Sequence, residues 1–209
     1  MEQNENNALV PEQLTGGQSN TEHSVTAKSR QEALDIFKRA YKRLLNINIW
    51  NKLSGKASAD FELRDRDGQE GHRLARVNDY FMIDIPGPGP ASGEGYDWVR
   101  VEEIEDKTNP ETDEETFSMR VRPCTDPNNE STDVAHFFTD ESTSTFVIRR
   151  KENIITASVF GRNEKPNTDT EKVADKIRNA AIGSTAIAGV AKIQWAFLIK
   201  GLLEDEVAG

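Results

Sequence analysis

The chain has 209 residues, 35% of them hydrophobic and 30% charged, with a formal net charge of −10 and one cysteine. The acidity excludes nucleic acid as the main partner, because binding phosphate needs a basic face. A lone Cys124 excludes an internal disulfide and a cysteine-based zinc cluster, and it suits a reducing, cytoplasmic setting.

Residues 1–27 are rich in Asn, Gln, Glu, Ser, Thr and Gly. Such a stretch buries too little apolar surface to offset its ordering entropy, so 1–27 is expected to be a disordered leader. It has no basic start and no apolar run, so it does not read as a signal peptide. Residues 28–209 are expected to form a single α+β domain, an ordinary size for one core. Ser29 is placed to cap a helix, with Glu32 three positions later to complete a capping box. Ala33, Ile36, Phe37, Ala40, Tyr41, Leu44 and Leu45 then recur at helical spacing. Lys38, Arg39, Lys42 and Arg43 take the other side. The ordinary reading of such a basic face is solvation, and contact with acidic lipid or RNA is the sharper alternative. A short helical turn over residues 47–53 brings in Trp50 and stops at Gly55.

Six strands follow in antiparallel succession, predicted over residues 61–64, 74–85, 97–106, 116–122, 144–150 and 154–160. Asp67-Gly68 signals a hairpin after the first, and the last two turn near Glu152-Asn153. In the third strand Val99 and Val101 share a side. In the fourth, Phe117, Met119 and Val121 alternate with Ser118, Arg120 and Arg122. The final helix is predicted over residues 170–206. Val173, Ile177, Ala181, Ala188, Ala191, Trp195, Leu198 and Leu202 form one stripe along it. The stripe is small in the middle and bulky at the end. The helix is therefore expected to lie close to the sheet at its centre and to fill a wider gap near its C-terminus. Lys192, Gln194 and Lys200 interrupt it, so no membrane span is expected.

Two helical pieces, six strands and a long last helix make an α+β layout. This order resembles the helix-grip fold of START-type and polyketide-cyclase-like proteins over most of residues 25–206. The resemblance implies a curved antiparallel sheet of about six strands wrapping a long C-terminal helix, with a cavity between them. A cystatin- or NTF2-like sheet is the rival, although those folds lead with their long helix. The runs IDIPGPG, GYDWV, VAHFF and GRNEKPN resemble an uncharacterised bacterial family of Bacteroidota type, a resemblance that implies no activity.

Four glycines and three prolines make residues 86–95 a stiff, sharply turning loop. No Lys-Ser/Thr pair follows and both flanks read as strand, so the loop is structural or a lid and not a phosphate cradle. In calcium-loop register around residues 65–70, Leu63 and Leu74 would hold the first and twelfth ligand positions, so a turn explains that run. The oxygen-rich residues 125–133 read as a loop, with an irregular cation site as the alternative. His23, His72 and His136 show no metal spacing. His136 lies in an apolar run; it reads as a hydrogen-bonded core histidine or, functionally, as a tuned acid–base group. Between residues 101 and 116, eight carboxylates against Lys107 leave seven of the ten excess negative charges. That hairpin is solvated or docks a basic partner.

The reading is thus a protein that binds a small, partly apolar ligand between sheet and C-terminal helix. Tyr96, Trp98, His136, Arg162 and Glu164 are its candidate orienting residues. Arg162 and Glu164, at the end of the last strand, share a strand face and are placed to pair with each other or to meet a ligand. No cofactor, metal site or catalytic residue is expected, since no nucleophile accompanies His136. The alternative is a scaffold protein that uses hairpin 101–116 and loop 86–95.

Overall fold

The structure is a computed structural model. It describes residues 8–55, 59–84, 93–167 and 183–204, with the backbone alone for 183–191. Ser29 opens α1 (Arg30–Leu45), its hydroxyl accepting from the Glu32 N–H at 3.2 Å. The Glu32 carboxylate reaches back to the Lys28 N–H at 2.6 Å, so the capping box closes one residue early. Ala33, Phe37, Ala40 and Leu44 form the buried stripe of α1. A turn at Ile47–Ile49 leads into α2 (Trp50–Ser54). Trp50 is fully buried, and its indole N–H donates to the Leu44 carbonyl at 3.1 Å, which satisfies the group inside the core.

One antiparallel sheet of seven strands carries the rest, in the order β1-β7-β6-β5-β4-β3-β2. The strands are β1 (Gly17–Thr26), β2 (Asp60–Arg64), β3 (Tyr80–Asp84), β4 (Asp97–Lys107), β5 (Glu114–Pro123), β6 (Thr143–Lys151) and β7 (Ile154–Glu164). The extra strand is β1, which falls inside the stretch expected to be disordered. It pairs with β7 from Ser19 opposite Gly161 to Thr26 opposite Ile154. Its hold on the sheet is polar. Arg162 donates to the Ser19 carbonyl and Asn20 Oδ1, and the Leu14 and Thr15 N–H groups donate to Asn163 Oδ1. A ladder and side-chain ties can order a strand that buries little apolar surface, which composition alone does not register. His23 thereby lies in the sheet, 2.6 Å from Glu204. Residues 1–7 lie outside the described residues.

A second difference concerns β3, which begins at Tyr80 and not near residue 74. The turn at Asp67-Gly68 closes on itself, with the Asp65 carboxylate accepting from the Asp67 and Gln69 N–H groups. The chain then runs beneath α1. The Ala75 N–H donates to the Leu45 carbonyl, and Asn48 bridges the Gly71 carbonyl and the Leu63 N–H. Backbone groups spent on α1 are not available for a ladder.

The last helix, α3 (Gly183–Leu203), packs with α1 and α2 over one face of the curved sheet, called concave below. Leu198, Ile199, Leu202 and Leu203 are buried there. The predicted stripe positions 173, 177 and 181, and the side chains of 188 and 191, lie outside the described residues. Near its C-terminal end α3 comes close to the backbone of α2. A Cβ on Gly201 would lie 2.8 Å from the Leu53 carbonyl carbon and closer still to its oxygen. Gly201→Ala would gain up to about 1 kcal/mol in an exposed helix. Here it must push α3 off α2, and a net loss of about 1–3 kcal/mol is expected in urea melts. A stabilised variant would contradict the packing.

Candidate functional site

Register places the concave face residue by residue. Phe61, Ile83 and Asp97 stand opposite one another across β2, β3 and β4, and Leu63, Phe81 and Val99 form the next row. Side chains directly opposite share a face, so Asp97 points to the same side as Phe61. Trp50 packs onto this face, with ring centroids 5.3 Å from Phe61, 5.4 Å from Phe81 and 5.2 Å from Phe146. Trp195 of α3 closes the cluster at 5.2 Å from Phe146 and 6.2 Å from Phe61. It is the least buried of the five rings.

Two polar groups interrupt this apolar setting. Asp97 is 3% exposed, and one carboxylate oxygen accepts from the Phe137 N–H at 2.8 Å. Burial pushes its pKa up to about 7, with that hydrogen bond opposing the rise. The second group is on α3. The side-chain amide nitrogen of Gln194 is buried with no hydrogen-bond partner among the described residues, on the helix side shared by Leu198 and Gly201.

Around Asp97, residues 134–137 extend the sheet where β5 ends. The Trp98 N–H donates to the Ala135 carbonyl at 2.7 Å, and the Ala135 and Cys124 N–H groups donate to Cys124 and Trp98 at 3.0 Å. Trp98 points to the face opposite Asp97. Its indole N–H is buried without a partner among the described residues, and the ring packs so near Gly93 that a Cβ there would lie 3.0 Å from Trp98 Cδ1. His136 is buried, and its Nδ1 accepts from the Phe138 N–H at 2.9 Å. Burial lowers its pKa to about 3, so the ring is neutral at physiological pH. The Asn167 side chain donates to the Val134 and His136 carbonyls and ties the end of β7 to this loop. Burial pushes the Cys124 thiol up to about 12, too high for a nucleophile at neutral pH.

The five residues singled out from sequence fall into two groups. Tyr96, Trp98 and His136 gather at the start of β4, where the Tyr96 N–H donates to the Gly93 carbonyl. Arg162 and Glu164 lie at the end of β7, and they do not share a face. Asn163 adopts φ 54°, which breaks the alternation. Arg162 turns toward Asn20, whereas Glu164 folds over Gly161 and accepts from the Ser19 hydroxyl at 2.7 Å. Asp97 was missed, although GYDWV carried the signal: positions 97, 99 and 101 alternate onto the face of Val99 and Val101.

The acidic hairpin is largely neutralised by its own strands. Glu102 meets Arg120 at 3.0 Å and Arg122 at 2.5 Å, and Glu103 meets Arg120 at 3.0 Å. Glu105 pairs with Lys107, Glu114 with Arg149 and Glu115 with Arg150. In residues 125–133, Asp126, Asn129 and Ser131 accept from nearby backbone N–H groups, the arrangement of a turn. Among the described residues no group of His, Cys, Asp and Glu is placed to hold a metal ion. Among them, too, no helix is long and apolar enough to cross a membrane. Residues 86–92 of the glycine-proline loop lie outside the described residues.

No family model and no curated protein matches the chain. Solved structures do resemble it. A hypothetical protein from Helicobacter pylori is 13% identical, covering 88% of this chain and 87% of its own, with a TM-score of 0.48. A major latex-like protein from Panax ginseng is 13% identical over 88% of this chain and 97% of its own, at 0.39. A START superfamily protein from Mycobacterium smegmatis is 11% identical over 86% and 99%, at 0.36. The sheet order, the register and the placement of α3 define the architecture. It is a helix grip.

Proposed function

We propose that the protein binds a small, partly apolar molecule between the concave face and α3, without catalysis, and that the ligand's polar end donates a hydrogen bond to Asp97. The observation that carries this reading is the placement of a buried carboxyl in the row of Ile83 and Phe61, beside the aromatic cluster. An ionisable group held in such a setting is a functional-site feature. The Gln194 amide offers a donor to an acceptor elsewhere on the ligand. The five rings touch one another, so admission requires Trp195, the least buried, to swing outward. Tyr96 and His136 shape the rim beside Asp97, while Trp98 packs on the opposite face. Arg162 and Glu164 serve the β1–β7 edge.

The test is a thermal-shift and native mass-spectrometry screen of apolar amines, sterols and fatty acids. Amines or sterols are expected to raise the melting temperature and to quench tryptophan fluorescence. Asp97→Asn should weaken amine binding about tenfold, the cost of one charge-assisted hydrogen bond. The reading falls if the screen produces no shift and nothing co-purifies. A scaffold role through hairpin 101–116 has less support, because most of its carboxylates are occupied by the protein's own cations.

A further inference from the structure

On the outer side of α1 an open groove of about 500 Å³ runs between the helix and the segment that carries Leu74. Lys38, Arg39, Lys42 and Arg43 line it, against the single acid Asp35. In a chain of net charge −10 this is a local reversal of sign. The cations differ in what already occupies them. Arg39 donates to the Leu203 carbonyl and Arg43 to the Gly201, Leu202 and Glu204 carbonyls, so both hold the end of α3. Lys38 and Lys42 are exposed, stand one turn apart, and have no carboxylate partner among the described residues. Asp35 instead accepts from Gln31 at 3.2 Å. The α1 dipole accounts for cations in the last turn, but Lys38 lies a turn earlier, beyond its reach. Asn46 adds an amide at one end, and Leu74, 42% exposed, adds an apolar wall.

We infer that this groove is a second ligand site, independent of the interior one, which takes a phosphate monoester carrying an apolar group. Two unpaired ammonium groups match the double charge of such a phosphate. They act as point charges that need no fixed fork, while the Leu74 wall favours an organic substituent over a bare ion. The phosphate is that of a free metabolite or of a lipid headgroup, and the two sources are separable.

The probes are inorganic phosphate, phenyl phosphate, and phosphatidylcholine vesicles with and without phosphatidic acid, all at constant ionic strength so that general screening does not vary. Phenyl phosphate is expected to bind saturably and more tightly than inorganic phosphate, and to shift the amide signals of Lys42, Asn46 and Leu74. Lys38→Gln/Lys42→Gln should weaken it about tenfold, through loss of two charged contacts. Lys151→Gln/Lys192→Gln changes net charge equally and should leave binding intact. Lys38 and Lys42 are exposed, so Lys38→Gln/Lys42→Gln should melt like the wild type. Vesicle binding that requires phosphatidic acid and is lost in Lys38→Gln/Lys42→Gln assigns the lipid source; binding of phenyl phosphate alone assigns the free one. The inference is overturned if no probe binds saturably, or if both double variants behave alike.

Discussion

At pH 8 the Asp97→Asn variant is expected to be about 4 kcal/mol more stable than the wild type, and at pH 3 close to equal to it. The Asp97 carboxyl has a folded pKa of about 7 against a reference value of 3.8. Each pH unit of difference is worth about 1.4 kcal/mol. A raised acid binds its proton more tightly in the folded state. Its contribution is therefore fully present below 3.8 and is lost as pH rises to about 7. His136 works in the opposite sense. Its folded pKa is about 3 against 6.5, so stability is lost as pH falls between those values. Between pH 4 and 6.5 the two slopes cancel, about one proton gained against one lost, and the wild type should be nearly flat. Asp97→Asn removes one slope, and its stability should rise with pH across that window. His136→Asn, whose carbonyl can still accept from Phe138, should fall across it. Urea titrations at several pH values read this directly, and parallel curves for all three proteins would remove both assignments. The outcome bears on function as well as on folding. A carboxyl that lowers stability at neutral pH, where an amide would not, is what the proposed pairing with a ligand would account for.

How much of this was legible beforehand depended on which force holds each element. α1 was legible because its stripe is apolar and its cap is local: Ser29 and Glu32 act within one turn. β4 and β5 were legible from alternation, and β6 and β7 from their apolar runs, although both faces of those two strands are buried. β1 was not, because Ser19, Thr21 and His23 hold their place through ladder bonds to β7 and through Arg162 and Asn163, more than 140 residues away. The close contact of α3 with α2 was not legible, for a related reason. A stripe of alanines predicts a narrow helix, but the approach is set by Gly201 against the Leu53 backbone, and which neighbour meets which turn is a tertiary fact. At the site, Trp98 and His136 stood out as conspicuous residue types. Asp97 stood between Tyr96 and Trp98 as the first residue of the predicted strand, with no role of its own. Its meaning came from parity with Val99 and Val101 and from the Phe137 N–H that reaches it. Asn163 shows the limit of parity, since one left-handed residue reverses every face assignment after it.

Arg150→Met should cost about 3–5 kcal/mol, the range for leaving one member of a buried ion pair uncompensated. Arg150 is fully buried on the concave side of β6, and its Nε donates to Glu115 at 2.6 Å. The remaining donors go to the Asp113, Glu152 and Thr112 carbonyls, which gathers the β5 and β6–β7 turns around one guanidinium. Lysine cannot reproduce that fork, so Arg150→Lys should recover only part of the loss. Glu115→Leu alone should also destabilise, because it leaves the cation buried. Combined with Arg150→Met it should cost less than the two single losses added, by at least about 1 kcal/mol, since no unpaired charge remains. Additive losses in urea melts would show that the two groups do not act as a pair. The same contacts change how the acidic hairpin should be tested for docking. Neutralising every carboxylate from Glu102 to Glu115 removes the partners of Arg120, Arg122, Arg149 and Arg150 together. A lost interaction would then report a loosened sheet. Asp106 and Glu111, which make no ion pair among the described residues, are the positions where charge can be removed while the fold stands. A partner that reads the hairpin's charge would be weakened by Asp106→Asn/Glu111→Gln at unchanged melting temperature.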